Sequence, residues 1–194
     1  MKYNPEIHNR RSIRLQKYDY ALAGAYFVTV CIRNRECLFG DMVDGKMRLN
    51  DTGRMVQMVW DELPDRFSGL ELDAFMVMPN HVHGVIVLVG AGLALPNQEG
   101  AASGAPTLGD TARVFKSLSA VRVNRFLMRT GPLWQRNYYE HIIRNENSLN
   151  KVREYIINNP AQWEFDRENP AGADMPHAEA GFKPTSAKDE AWRI

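Results

Sequence analysis

Two histidines separated by one residue are the first candidates for chemistry. His81 and His83 belong to the apolar run HVHGVIVLV, which predicts a β-strand. Because alternate residues of a strand face the same side of a sheet, both imidazoles would project from one face and could bind one cation. An HxH pair alone is weak evidence, and two ordinary, partly buried histidines are the simpler interpretation.

A tyrosine and an asparagine form a second pair. Tyr155 and Asn159 are four residues apart at the end of a predicted helix over 148–158, so they would share one helical face. A packed tyrosine and a helix-ending asparagine are the more common explanation of such spacing. A phenol, with a reference pKa of ~10, is a weak nucleophile near neutral pH and needs a cation to polarise a phosphate that it attacks. The two histidines could hold that cation, and attack on a phosphodiester would give a covalent phosphotyrosine and a free 3′-hydroxyl, which permits rejoining without ATP.

Basic side chains are concentrated in two segments of an almost neutral chain. The sequence has 24 Lys and Arg and 23 Asp and Glu, yet residues 1–35 hold seven basic and two acidic side chains, and residues 112–144 hold seven and one. This polarity favours one face suited to phosphate, with an ordinary solvated helix face as the alternative. The candidates for DNA contact are Arg113, Lys116, Arg122, Arg125, Arg129 and Arg136, with an N-terminal arm of Arg10, Arg11, Arg14 and Lys17.

The elements that must position these residues follow from periodicity and turn signals. The predicted order is a strand over 25–33, a hairpin over 38–49, a helix capped at Asn50 or Asp51, strands over 70–78 and 81–89, a helix over 108–129, a strand over 133–144 and the helix over 148–158. A linker rich in Gly, Ala and Pro separates the two halves at 90–106. This order predicts an α+β sandwich with a mainly antiparallel sheet and helices on one face, with a ferredoxin-like core as the specific form.

Composition places the chain among ordinary intracellular domains. The 194 residues are 44% hydrophobic, which is enough for one sizeable core. Cys31 and Cys37 form no CxxC pattern, so a reducing cytoplasm is expected. The most apolar stretch, over 82–95, is shorter than the ~20 residues of a membrane helix, and no membrane association is expected.

Three blocks of the sequence together resemble one known family. MPNHVHGVIVL (78–88), WQRNYYEHIIRN (134–145) and YIINNPAQW (155–163) are similar to the single-tyrosine transposases of the HUH superfamily, in the branch of REP-associated tyrosine transposases and their insertion-sequence relatives. Segments 10–40 and 108–126 are also typical of that branch. The resemblance implies one HUH-type domain over 1–163. The residues after Trp163 are rich in Pro, Ala, Gly and charge, which predicts an irregular tail over 164–194.

The resemblance also implies roles for individual residues. Tyr155 would be the nucleophile, and His81, His83 and Asn159 would bind Mg²⁺ or Mn²⁺. The activity would be metal-dependent cleavage and strand transfer of single-stranded DNA beside a hairpin or palindromic repeat, in a cytoplasmic, nucleoid-associated protein. Relatives include monomers and dimers, so a homodimer stays open.

Several alternatives stay open at this stage. Tyr138 and Tyr139 are rival nucleophiles near His141, although adjacent strand residues point to opposite faces. Glu140 and Arg144 match the family block without an assigned role. A domesticated DNA-binding protein of the same fold that cleaves nothing, or an RNA-binding protein, are the alternative functions.

Overall fold

The computed structural model describes residues 23–89, 106–166 and 168–172. The predicted N-terminal arm of Arg10, Arg11, Arg14 and Lys17 therefore lies outside the described residues, as does most of the linker at 90–106. In chain order the elements are β1 (Gly24–Cys31), β2 (Gly40–Val43), β3 (Lys46–Leu49), α1 (Asp51–Asp61), α2 (Leu63–Arg66), β4 (Leu70–Val77), β5 (His81–Leu88), α3 (Leu108–Phe126), β6 (Tyr139–Ile143) and α4 (Glu146–Asn158). No helix among these residues is both long enough and apolar enough to cross a membrane.

Four strands form the main sheet in the order β4-β5-β1-β6, with every neighbouring pair antiparallel. α1 and α2 connect β1 to β4, and α3 connects β5 to β6, which gives the βαββαβ order of a ferredoxin-like core. The predicted hairpin forms a separate two-stranded sheet of β2 and β3. The prediction of an α+β fold with an antiparallel sheet is confirmed.

One face of the sheet carries α1 and α3 over a mainly apolar core. Trp60 of α1 stacks on Phe75 with ring centroids 4.2 Å apart and meets the edge of Phe115 of α3 at 5.5 Å. Gly84 of β5 makes room for this cluster, because a Cβ there would lie 2.5 Å from two ring carbons of Trp60. Burial of large aromatic surface on this face supplies much of the driving force for folding.

The opposite face of the sheet carries α4. Val152 and Ile156 of this helix pack on Phe27 of β1 and Val85 of β5, and all four are buried. The predicted placement of helices on one face therefore describes α1 and α3, whereas α4 covers the other side. α4 begins at Glu146, because the side chain of Asn145 accepts a hydrogen bond from the Ser148 amide and caps the helix.

Two elements are shorter than the sequence indicated. α3 stops at Phe126 rather than at residue 129. The strand predicted over 133–144 is shorter, since only Tyr139–Ile143 is β6 and Trp134 forms an isolated bridge with Ile32. Between them, the carbonyls of residues 135–137 accept hydrogen bonds from Lys116 instead of from a strand. Trp134 is buried in the core, as expected, with its indole N–H donating to Ser119.

Candidate metal and nucleophile site

β5 places His81 and His83 on the face covered by α4. The two Nε2 atoms are 2.9 Å apart, and the side chains are fully or almost fully buried. Burial, followed by the neighbouring His81, holds the pKa of His83 well below its usual value. Neutral imidazole is the form that binds metal ions, so a His83 held neutral suits a cation.

Each imidazole is held through its other ring nitrogen. His81 Nδ1 lies 2.9 Å from the side-chain oxygen of Asn80, and His83 Nδ1 lies 2.8 Å from the hydroxyl of Thr29 on β1. Hydrogen bonds of this kind orient metal-binding histidines and select the nitrogen that stays available. The two Nε2 atoms therefore face each other, while the Nδ1 atom of each ring is held by its own hydrogen bond.

A carboxylate from beyond the predicted domain end completes the group. Asp166 Oδ2 is 3.8 Å from His81 Nε2, and the ligand atoms of His81, His83 and Asp166 all lie within 4.8 Å of one another. A 3₁₀ segment, Asn159–Phe165, follows α4 and brings the chain back to the histidines. The sequence analysis missed Asp166, although a carboxylate is a common partner of two histidines in metal sites.

α4 places Tyr155 against the histidines. Its ring contacts His83 edge to face with centroids 5.3 Å apart and contacts Phe27 at 5.9 Å. Phe27 in turn stacks on His83 at 5.5 Å. The tyrosine predicted as a nucleophile therefore packs directly on one of the two predicted metal ligands.

Asn159 is the residue predicted to provide an oxygen ligand. It follows the last residue of α4, is 4% exposed, and its Oδ1 is buried with no hydrogen-bond partner among the residues that the structure describes. An unsatisfied buried carbonyl oxygen is costly unless something binds it. A divalent cation, which accepts oxygen ligands, would satisfy such an atom, and a ligand role for Asn159 stays a prediction. The residues whose ligand atoms fit a metal site are His81, His83 and Asp166.

The rival tyrosines lie on opposite faces, as expected. Tyr138 packs on the α1 and α3 side, whereas Tyr139 packs on the α4 side, 6.3 Å from Phe27 between ring centroids. His141 is paired with Phe27 across β1 and β6, and burial, followed by Arg144, lowers the pKa of its imidazole. The Tyr155 ring contacts His83 directly, with centroids 5.3 Å apart.

Three of the predicted DNA-binding residues are engaged inside the protein. Arg122 makes two hydrogen bonds of 2.7 Å to Glu62 at the end of α1. Arg129 pairs with Glu36 at 3.0 Å. Lys116 binds the backbone carbonyls of residues 135–137, and burial lowers the pKa of its ammonium. These contacts join separate parts of the chain, and DNA contact by the three residues stays a prediction.

The remaining basic candidates are more open to solvent. Arg125 and Arg136 are exposed, and neither forms an ion pair within the described part of the chain. Arg113 is exposed and reaches Asp110, its neighbour on the first turns of α3, at 3.2 Å. DNA contact by these residues stays a prediction.

Comparison with known proteins gives a relative and a fold. No protein-family model matches the chain. An uncharacterized protein of Haemophilus influenzae is 44% identical over 176 residues, which cover 86% of this chain and 96% of the relative. A solved REP-associated tyrosine transposase bound to a REP hairpin superimposes with a TM-score of 0.55 at 20% identity, over 77% of this chain and 73% of that one. This likeness shows that the chain shares the fold of that transposase.

Proposed function

The chain belongs to the family of that Haemophilus influenzae protein, and we propose that it is a transposase-like, metal-dependent endonuclease and strand transferase of single-stranded DNA. The substrate is a single strand beside a hairpin or palindromic repeat. The transposase of the same fold is bound to a REP hairpin, which supports this choice of substrate. We place the protein in the cytoplasm, associated with the nucleoid, where such DNA is found.

One observation carries the proposal, namely the contact of Tyr155 with His83. A phenol, two facing imidazoles and a carboxylate meet on one face of the sheet, and each comes from a different part of the chain. Ordinary core packing explains an aromatic contact but not a buried imidazole pair beside a carboxylate, because buried polar groups are costly without a purpose-built set of partners. A buried imidazole with a lowered pKa beside other titratable groups is typical of functional sites.

Mg²⁺ or Mn²⁺ is the cofactor that these residues would hold. His81 and His83 would provide nitrogen ligands, and Asp166 and Asn159 would provide oxygen ligands. When bound, the cation supplies positive charge to a non-bridging phosphate oxygen and so favours attack at phosphorus. The mixture of nitrogen and oxygen ligands suits Mn²⁺ at least as well as Mg²⁺.

Tyr155 performs the covalent step. Its hydroxyl oxygen forms a bond to the scissile phosphorus, the phenolic proton is lost, and the bond from phosphorus to the 3′ oxygen breaks. The leaving 3′ oxygen takes up a proton, so the products are a 5′-phosphotyrosine and a strand with a free 3′-hydroxyl. Attack of a 3′-hydroxyl on this phosphotyrosine reverses the step and joins two strands. Packing on Phe27 and His83 restricts the rotamers of Tyr155, which lowers the entropy cost of orienting the nucleophile.

The test is formation of a covalent protein–DNA adduct. Full-length protein is mixed with labelled single-stranded DNA from the flanks of its own gene, including any hairpin, with Mn²⁺ or with EDTA, and run on a denaturing gel. We expect a band of protein-plus-DNA mass with Mn²⁺ that is absent with EDTA and absent in Tyr155→Phe. Binding of the same DNA without any adduct, across a random single-strand library as well, would instead identify a DNA-binding protein that does not cleave.

A further inference from the structure

Asn80, the residue before the paired histidines, contacts three separate segments of the chain. Its side chain is buried, with 1% of the residue exposed. We propose that Asn80 is a positioning residue that determines which ring nitrogen of His81 carries the proton and where the Asp166 carboxylate lies. This inference rests on the metal site of the proposed function.

The hydrogen bonds of Asn80 fix the orientation of its amide. The Nδ2 group donates to the carbonyl of Glu168 at 2.7 Å and to the carbonyl of Arg35 at 3.1 Å. Both partners are backbone carbonyls, which only accept, so this end of the amide must be the nitrogen. Rotation of the amide by half a turn would set its oxygen against two carbonyl oxygens, and both hydrogen bonds would be lost.

The oxygen of the same amide then decides the tautomer of His81. Asn80 Oδ1 lies 2.9 Å from His81 Nδ1 and can only accept, so Nδ1 carries the proton of the neutral ring. A neutral imidazole has one N–H, so Nε2 of His81 presents its lone pair. That lone pair faces His83 Nε2 at 2.9 Å and the side of the site where Asp166 lies.

The Nδ2 end of Asn80 holds the segment that carries Asp166. The Glu168 carbonyl is bound to Asn80, and the Glu168 amide donates to Asp166 Oδ1 at 2.8 Å. The Glu168 side chain also pairs with Arg35 at 3.2 Å. One carboxylate oxygen of Asp166 is thus occupied by the backbone, and the other, Oδ2, is the one directed at His81.

One amide therefore connects two ligands that are 85 residues apart in sequence, His81 and Asp166. Loss of Asn80 would remove the acceptor that selects the His81 tautomer and the donor that holds the Glu168 carbonyl. Substitution of such supporting residues commonly weakens metal binding by about 10–100-fold. Because Asn80 acts partly through Asp166, the losses of metal affinity caused by substitutions at these two residues should not be independent.

The first experiment uses the metal-free wild-type protein. NMR of protein labelled with ¹⁵N in histidine, at pH 8, reports which ring nitrogen of His81 carries the proton. We expect the proton on Nδ1. A proton on Nε2 would overturn the proposal, and this result does not depend on any variant folding.

The second experiment is a calorimetric titration of Mn²⁺ into wild type, Asn80→Ala, Asp166→Ala and the double variant. The control is Asn124→Ala, which removes an amide that donates to the Gly131 carbonyl at 2.8 Å at the end of α3. We expect Asn80→Ala to lose about 10–100-fold in Mn²⁺ affinity while the control binds like wild type. The double variant should lose less than the product of the two single losses, because Asn80 acts partly through Asp166.

The outcomes separate this inference from the proposed function. Equal Mn²⁺ affinity of wild type and Asn80→Ala, or losses that simply multiply in the double variant, would overturn the coupling through Asn80 while the metal site stands. Absence of Mn²⁺ binding by wild type would remove the metal site itself, and the inference with it.

Discussion

The two faces of the sheet are built from the same strands and serve different ends. On the side of α1 and α3, β5 presents Val82 and Ile86, which are fully buried in an apolar core. On the side of α4, the same strand presents His81 and His83 at the alternating positions, equally buried. Because alternate residues of a strand face opposite sides of the sheet, β5 contributes to an apolar core on one side and to a polar site on the other.

This contrast indicates that one face of the sheet mainly stabilises the fold and that the other mainly holds the candidate site. Burial of apolar side chains is favourable in proportion to area, whereas burial of an imidazole is tolerated only with partners. The α4 face has those partners, Asn80 and Thr29, and gives up apolar packing to include them. We therefore expect substitutions on the α4 face to change activity most, and substitutions on the α1 and α3 face to change stability most.

The largest expected effect is that of His83→Ala. Without this imidazole the chain loses a metal ligand and the ring on which Tyr155 packs. Loss of the metal's several kcal/mol of transition-state stabilisation corresponds to a decrease in adduct formation of about a hundredfold or more. Quantitative adduct gels at limiting Mn²⁺ measure this decrease.

Thermal unfolding of the same variant provides its control. Mn²⁺ at 100 times its Kd should stabilise the wild type by about 2.7 kcal/mol and leave His83→Ala unchanged. If Mn²⁺ raised the melting temperature of both proteins equally, the bound ion would lie elsewhere and the division between the two faces would fail.

Trp60→Ala should have the largest effect on stability. Its indole is 2% exposed between Phe75 and Phe115, so truncation leaves a large cavity on the face without chemistry. Denaturant unfolding should show a loss of about 3–5 kcal/mol. Adduct formation per folded molecule should stay near wild type, and a loss of activity much larger than the unfolded fraction would show that the two faces are coupled.

Gly84→Ala sharpens the comparison at a single position of β5 that faces α1 and α3. The added methyl group would lie 2.5 Å from Trp60 ring carbons and 2.9 Å from Phe75, and both side chains belong to the packed core. Overpacking of this kind costs about 1–3 kcal/mol. The double variant Gly84→Ala with Trp60→Phe should recover part of this loss, and no recovery would place the strain elsewhere.

The smallest expected effect concerns the ion pair that joins α4 to the edge strand β4. Arg153 binds both oxygens of Asp73, at 2.9 and 2.7 Å, and this contact lowers the pKa of the Asp73 carboxyl. A depressed folded-state pKa stabilises the protein above the unfolded pKa, about 3.9, and this stabilisation is lost as the pH falls through the folded value.

Asp73→Asn measures that contribution. Because both side chains are partly exposed, the variant should be less stable than wild type by only about 0.2–1 kcal/mol at pH 7. The difference should shrink towards zero as the pH falls below 3.9 and should decrease in high salt. A difference that is constant with pH would assign the loss to packing rather than to charge.

Much of the fold and half of the site follow from local patterns. Strand alternation predicted that His81 and His83 share one face of the sheet. Helical spacing predicted that Tyr155 and Asn159 share one face of the last helix. The structure confirms the ferredoxin-like order. These features depend on residues close in sequence, where periodicity and caps carry most of the information.

The features that sequence patterns did not reveal depend on distant contacts. Asp166 reaches His81 because Asn80 binds the Glu168 carbonyl, 88 residues away, and the segment after Trp163 has no periodicity that announces this contact. Arg122 was predicted to contact DNA, and its ion-pair partner Glu62 lies 60 residues earlier in the chain. The packing of α1 against α3 brings the two together, and no local sequence pattern indicates this. Charge clusters in a sequence do not distinguish a free face from paired groups.

The most direct test of the central claim is to locate the covalent bond to DNA. The adduct formed with Mn²⁺ is digested with protease and nuclease, and the modified peptide is identified by mass spectrometry. The account predicts a nucleotide joined through phosphate to Tyr155. A phosphotyrosine at Tyr139, which shares the α4 face and also packs on Phe27, would contradict it.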